Sequence, residues 1–291
     1  MIIKRRSLLG LIAGLPLAKS AIAAAVIQAP IRNIIATEDG RKLEVSSWRP
    51  AGKTAATILF SHGFASAPRH YIPIISAWVA AGYEVHAPLH MDSREHAHHK
   101  TLQGMDSWAA RIQDMRALSA NHGTDHAAIG HSYGGLTALA MGGASALRPD
   151  GIEGPLRDNR TKCAFAFSPP GPTPSLIDKA GYGSIAVPAF IQTGTRDVLP
   201  GSVDEAESWR SHLSAFAAGP AQEERYGLIL ADVDHYFGGL ICDPAKTGSD
   251  QSSALHIAIR ASLEFLACHG PAGSGKIPVF AADPTARFYR R

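Results

Sequence analysis

Gly130-His131-Ser132-Tyr133-Gly134 places a serine between two glycines, in the pattern Gly-x-Ser-x-Gly. An apolar run, Asp125–Gly130, precedes it, and Gly134–Leu147 follows with helical spacing. A serine on so sharp a strand-to-helix turn must take strained backbone angles. The strand and helix then run very close, so the positions two before and two after it must be small, and Gly130 and Gly134 meet that need. The turn would lift the Ser132 hydroxyl into the open as a nucleophile. It would also aim the Tyr133 N–H, at a helix N-terminus, toward developing negative charge.

A serine hydroxyl attacks only when a base takes its proton. The chain has 14 histidines, so position must choose among them. His235 follows the apolar strand Arg225–Ala231 and is the candidate base. The acid should follow an earlier strand. Val187–Thr193 is that strand, and Gly194-Thr195-Arg196-Asp197 comes next, so Asp197 is the candidate partner of His235. Asp204 is the alternative acid, while Asp232 and Asp234 lie too close in sequence to His235 to be preferred. A second oxyanion donor belongs on the loop after Thr57–Phe60, where Ser61-His62-Gly63-Phe64 stands. The Phe64 N–H is the candidate, with its ring beside the substrate, and His62 is expected to be structural.

These residues need a frame. Ile31–Ala36 and Leu43–Trp48 flank Asp39-Gly40, a hairpin signal. From residue 57 strands and helices alternate: Thr57–Phe60, helix Tyr71–Ala81, Tyr83–Ala87, helix Met105–Ala120, Asp125–Gly130, helix Gly134–Leu147, Thr161–Ser168, Val187–Thr193, helix Val203–Ala217, Arg225–Ala231 and helix Leu255–Cys268. That alternation predicts an α/β fold, a mostly parallel twisted sheet with helices on both faces. Trp108, Ile112, Met115 and Leu118 share one helix face, expected to be core.

Together the quoted pieces, spanning about residues 30–269 in the order Ser132, Asp197, His235, resemble the α/β-hydrolase superfamily. Asp158–Ala164, Phe167-Ser168-Pro169-Pro170-Gly171 and His235-Tyr236-Phe237-Gly238-Gly239 resemble its dienelactone-hydrolase-like and platelet-activating-factor-acetylhydrolase-like branch. A true dienelactone hydrolase carries cysteine where this chain has Ser132. The resemblance implies an ester hydrolase without a cofactor. Eighteen residues lie between Ser168 and Val187, too few for a large cap domain, with prolines stiffening the start. An open site for short- to medium-chain esters is expected, lined by Phe64, Tyr133, Tyr236 and Phe237. Peptidase, thioesterase and polyester-hydrolase activities are the alternatives on the same scaffold, and a non-catalytic binding protein is a more distant one.

The chain has 291 residues, 45% of them hydrophobic, and a net charge of +3. Lys4, Arg5, Arg6 and Lys19 fall within residues 1–25 without an acid, so the rest carries 24 bases against 25 acids, a balance of −1. No basic run remains to bind nucleic acid. Residues 1–25 read as a twin-arginine-like export signal: Arg5-Arg6, an apolar stretch Leu8–Ala18, and Ala-x-Ala sites at Ala21–Ala25. The expected protein is exported, periplasmic or secreted, with no stable membrane span. Residues 26–269 then form the catalytic domain and 270–291 a Gly/Pro-rich tail. Gly270-x-x-x-x-Gly275-Lys276 lacks the following Ser or Thr and a leading strand, and is rejected as a phosphate loop.

Export favours disulfides. Cys163 is expected as a buried free thiol, and Cys242 and Cys268 as an available pair. His86, His90, His96, His98 and His99 lack the spacing of a zinc motif, and no metal is expected. Asp92 and Ser93 are expected at the rim of the site.

Overall fold

A computed structural model describes residues 29–101, 105–198, 208–219 and 224–291. Its centre is a nine-stranded sheet in the order β1-β2-β4-β3-β5-β6-β7-β8-β9. The strands are β1 (Ile31–Ala36), β2 (Lys42–Trp48), β3 (Ala56–Ser61), β4 (Tyr83–Pro88), β5 (His126–His131), β6 (Thr161–Phe167), β7 (Ala189–Arg196), β8 (Arg225–Asp234) and β9 (Ala286–Arg290). β1 and β2 form the hairpin around Gly40, whose φ of 80° is the left-handed value that such a turn needs. The pairs from β4 through β8 are parallel, and β9 closes the far edge antiparallel to β8.

Parallel strands need crossovers, and the helices supply them. α1 (Ile72–Ala80) and α6 (Ser252–His269) cover one face; α2 (Met105–His122), α3 (Tyr133–Met141) and the short α4 (Lys179–Gly183) and α5 (Ser214–Ala218) cover the other. Side chains alternate across the sheet, so each strand feeds two cores. In β6, Phe165 and Phe167 point to the α1/α6 side while Ala164 and Ala166 meet the opposite layer. Phe165 lies beside Phe190 in register and stacks on it at 4.5 Å, and Tyr226 continues the row. Phe265 of α6 meets all three rings edge-on. The other face is lined with alanines because α3 approaches closely; a Cβ on Gly142 would stand 3.2 Å from the Ala164 Cβ. Trp108, Ile112, Met115 and Leu118 of α2 are all buried, as their spacing requires.

Some segments differ from the sequence reading. The run expected to be a tail carries β9, where Phe288 stacks on Phe280 at 4.6 Å and Phe280 in turn meets Phe190. Its high Gly and Pro content hid the short alternation Ala286–Arg290. α3 stops at Met141, since Gly142-Gly143 turns the chain with Gly143 at φ 111°. The described part of the expected helix 203–217 is a 3₁₀ turn, Ser208–Leu213, followed by α5. Asp204 and the expected export signal lie outside the described residues.

The three cysteines are free. Cys242 packs at the carboxyl ends of the strands, where its Sγ lies 3.1 Å from the place of a Cβ on Gly63. Cys268 ends α6 near Tyr83 and Tyr226, at the amino ends of β4 and β8. A disulfide cannot span the length of the sheet, so the pair left open by the sequence is not bridged. Among the described residues no helix is long and apolar enough to cross a membrane.

Candidate active site

Ser132 stands between β5 and α3 with φ 54° and ψ −122°, a costly conformation for a residue with a side chain. Its surroundings impose it. A Cβ on Gly130 would fall 2.0 Å from the Gly134 carbonyl oxygen, and one on Gly134 would fall 2.0 Å from that of Ser61. Strand, turn and helix therefore touch backbone to backbone. The Ser132 N–H is fixed on the Phe167 carbonyl at 2.8 Å.

Asp197 follows β7, and His235 follows β8. Gly194 lets these chains converge, since a Cβ there would lie 2.1 Å from the Val233 carbonyl oxygen. The His235 Nδ1–H donates to Asp197 Oδ1 at 2.7 Å. That contact leaves Nε2 as the atom able to take a proton from a hydroxyl. Asp197 is buried and saturated: Thr193 Oγ1 donates to Oδ2 at 2.9 Å, the Ser168 hydroxyl donates to the same oxygen, and His212 Nε2 lies 3.2 Å from Oδ1. Burial alone would raise this carboxyl, but His235 and His212 outweigh it and hold it well below the ordinary carboxylate range.

His131 joins the serine loop to the histidine loop. The Gly63 N–H donates to Tyr71 Oη at 3.0 Å, and that hydroxyl donates to His131 Nδ1 at 2.9 Å. The His131 Nε2–H then donates to the His235 carbonyl at 2.9 Å. Burial, reinforced by His235, pushes His131 far below its usual value and keeps it neutral, as this chain of bonds requires. Ser132, adjacent to His131, is thereby held next to the His235 loop.

The Phe64 N–H has no hydrogen-bond partner among the described residues, and the Tyr133 N–H, first in α3, has no intrahelical acceptor. Two unpaired donors thus flank Ser132. Beneath them lies the buried guanidinium of Arg111 on α2. It grips Asp92 with two bonds, at 2.8 and 2.9 Å, and donates to the carbonyls of His62 at 2.7 Å and Gly63 at 3.1 Å. Its Cζ also sits 4.6 Å from the centre of the Tyr133 ring. One cation therefore fixes the loop that presents Phe64 and the side chain of Tyr133. Burial would raise Asp92, but Arg111 overrides it and sets the carboxyl at about 2. Asp92 and Ser93 accordingly lie under the site and not at its rim.

A third layer supports Arg111. The Ser61 hydroxyl meets His90 Nε2 at 2.8 Å, and His90 Nδ1 meets Asp114 Oδ2 at 2.9 Å. Arg41 reaches Asp114 Oδ1 at 2.8 Å. Burial nonetheless lifts Asp114 to about 7. His62 donates to the Gly63 carbonyl and accepts from the His90 N–H at 3.0 Å, which makes it structural.

An open cavity of about 370 Å³ adjoins Ser132, lined by Phe64, Tyr133, Pro170, Ser175 and Leu176, with Ser107 beside Asp92. Phe64 is 59% exposed and faces the Tyr133 ring at 6.5 Å; Trp108 stacks under Tyr133. Phe237 is fully buried in the α1/α6 core, so its expected place in the substrate site is wrong. The loop turns it inward at φ 51°. Tyr236 does not line this cavity; it meets the His235 ring edge-on at 5.2 Å.

The histidine-rich run diverges. His86 binds Ser47 and packs on His122, His90 turns inward, and His96 and His98 contact each other on the loop. Among the described residues the one grouping of metal-binding residue types is Asp197, His212 and His235, whose facing atoms are already engaged in hydrogen bonds with one another.

A family model described as serine aminopeptidase, S33, matches residues 52–154. No curated protein matches the chain by sequence. Among solved structures, an apo esterase 2 of Thermogutta terrifontis is similar with a TM-score of 0.60 and 16% identity, over 82% of this chain and 94% of that one. The esterase domain of a Rhodothermus marinus protein gives 0.54 and 16%, over 82% and 98%. A puromycin-hydrolyzing peptidase of Mycobacterium tuberculosis gives 0.59 and 15%, over 91% of this chain and 43% of that one. Sheet order, elbow and these likenesses agree: the chain has the α/β-hydrolase fold.

Proposed function

We propose that the protein is a serine hydrolase that cleaves carboxylic esters of short to medium acyl length through an acyl-enzyme. The observation that carries this reading is the set of Ser132 on a strained turn, two unpaired N–H groups beside it, and His235 bonded to a buried Asp197. Ser132 Oγ attacks the ester carbonyl while His235 Nε2 takes its proton. The Phe64 and Tyr133 N–H groups hold the oxyanion. His235 returns the proton to the leaving alcohol as the tetrahedral intermediate collapses. A water then attacks the acyl-enzyme by the same route and frees the acid and Ser132.

The small, open and largely apolar cavity favours modest acyl groups. We also propose the dienelactone-hydrolase-like branch, on the resemblance of Phe167-Ser168-Pro169-Pro170-Gly171, a loop that bonds Asp197 through Ser168 and lines the cavity with Pro170. Peptidase activity is the second reading, favoured by the described family model and the puromycin-hydrolyzing neighbour. We also propose an exported protein, which fractionation of expressing cells tests directly.

The deciding experiment compares wild type and Ser132→Ala on p-nitrophenyl esters from acetate to palmitate, with aminoacyl p-nitroanilides alongside. Ester turnover confined to short and medium chains and lost in the variant supports the reading. Faster anilide cleavage selects the peptidase. No turnover and no fluorophosphonate labelling of Ser132 refutes both.

A further inference from the structure

Asp197 serves two histidines, and one of them is outside the proposed triad. His212 lies on the 3₁₀ turn Ser208–Leu213 and is 2% exposed. Its Nε2 faces Asp197 Oδ1 at 3.2 Å, the same oxygen that receives His235. Its Nδ1 faces the Pro169 carbonyl oxygen at 2.6 Å. A carboxylate and a carbonyl only accept. A neutral imidazole has a single N–H and would leave a lone pair pressed against one of them. Only an imidazolium satisfies both.

The surroundings agree. Burial disfavours the charge, but the Asp197 carboxylate outweighs it and raises the affinity of His212 for its proton. Among the described residues, the titratable groups facing His212 are Asp197, His235, with ring centres 5.8 Å apart, and the neutral His131. The remaining donors to Asp197, Ser168 and Thr193, are uncharged.

We propose that His212 is a protonated positioning residue that forms a buried ion pair with Asp197, so that His235 works beside a neutralised carboxylate rather than a bare one. This rests on the serine-hydrolase reading of Ser132, Asp197 and His235. An imidazolium 5.8 Å from His235 opposes a second proton on that ring. The two histidines therefore compete for one carboxylate oxygen, and removing His212 strengthens the hold of Asp197 on a protonated His235. The same charge opposes the imidazolium of His235 in the transition state, so His212 holds Asp197 in place at some expense in maximal rate.

The test follows two rates against pH for wild type and His212→Gln: labelling of Ser132 by a fluorophosphonate, and kcat/KM on p-nitrophenyl acetate. Removing a unit charge at 5.8 Å should move the acid limb upward by about one to two pH units, for an effective dielectric of roughly 40 to 20. A limb within about 0.3 unit of wild type, in a folded variant, overturns the proposal, since a merely structural role would lower both rates without moving the limb. Histidine ¹⁵N NMR of the wild-type protein gives a reading that needs no variant. A slowly exchanging imidazolium persisting at pH 8 supports the ion pair, and its absence overturns it. A wild type whose Ser132 is unlabelled at every pH refutes the hydrolase reading and the role of His212 with it, and is told apart by that result alone.

Discussion

Arg111→Lys is the substitution that best separates a scaffold that merely folds from one that is preorganised. Arg111 makes two bonds to Asp92, one to each of the carbonyls of His62 and Gly63, and lies over the Tyr133 ring. Lysine keeps the charge but is a point donor that cannot span a carboxylate and two carbonyls at once. Pairing with Asp92 comes first, because an unpaired buried carboxylate would cost about 3–5 kcal/mol. The carbonyls of His62 and Gly63 then lose their anchor, at about 3–6 kcal/mol for two hydrogen bonds to a charged donor. Where the fold survives that loss, the midpoint of thermal unfolding should fall by about 10 °C or more. Catalysis should suffer too. The Phe64 N–H sits directly after the released carbonyls, and one oxyanion donor is worth about 2.7–4 kcal/mol. A fall in kcat of about 10- to 100-fold is expected for partial misplacement, with KM changed much less, because the oxyanion contact forms fully only in the transition state. The assay is steady-state hydrolysis of p-nitrophenyl acetate, with circular dichroism to verify the fold. A folded Arg111→Lys protein with kcat within twofold of wild type would show that the loop holds itself and that this reasoning is wrong.

Gly134→Ala should abolish soluble folded protein or cost about 3 kcal/mol or more, since its Cβ would meet the Ser61 carbonyl at 2.0 Å; chemical denaturation measures it. Phe237→Ala should destabilise by about 3–5 kcal/mol, whereas Tyr236→Ala, half-buried at the core's edge, should cost less and alter ester kinetics through its contact with the His235 ring. Asp114 binds its proton more tightly when folded, up to about 7, than the 3.8 of an ordinary aspartate. The folded state then holds the extra proton between those values, so this residue makes stability fall as pH rises from about 4 to about 7. Denaturation of Asp114→Asn across that range should show a flatter profile, and an unchanged slope would contradict the assignment.

The elbow and its partners were legible because the rules that place them are local. Gly130 and Gly134 answer a steric demand two residues away, and Asp197 and His235 each follow a strand. The support beneath was not. Arg111 falls on the same helical face as Trp108, Met115 and Leu118, and Asp114 adjoins it, so a charge on a buried stripe was the available signal. Tyr71, His131 and His212 gave no such sign, because each finds its partner on a distant loop and a histidine-rich chain makes any one histidine uninformative. The inward turn of Phe237 depends on a left-handed backbone that its Gly-Gly neighbours only hint at. The short alternation of β9 was masked by the composition around it.

The cavity wall opposite the elbow has a different character from the elbow itself. The Pro169–Ile177 segment is tied down by its backbone: His212 and the Tyr182 hydroxyl donate to the carbonyls of Pro169 and Pro170, and Thr173 bridges to Ile177. Ser175 meanwhile is exposed on that segment, whereas Leu176 is half-buried against the core that also takes Tyr133. The wall thus grades from Pro170, beside the residues that hold Asp197, to Ser175, whose side chain makes no hydrogen bond among the described residues. Randomising position 175 should redraw the range of accepted acyl groups while sparing the machinery, which makes this end of the wall the natural entry point for directed evolution.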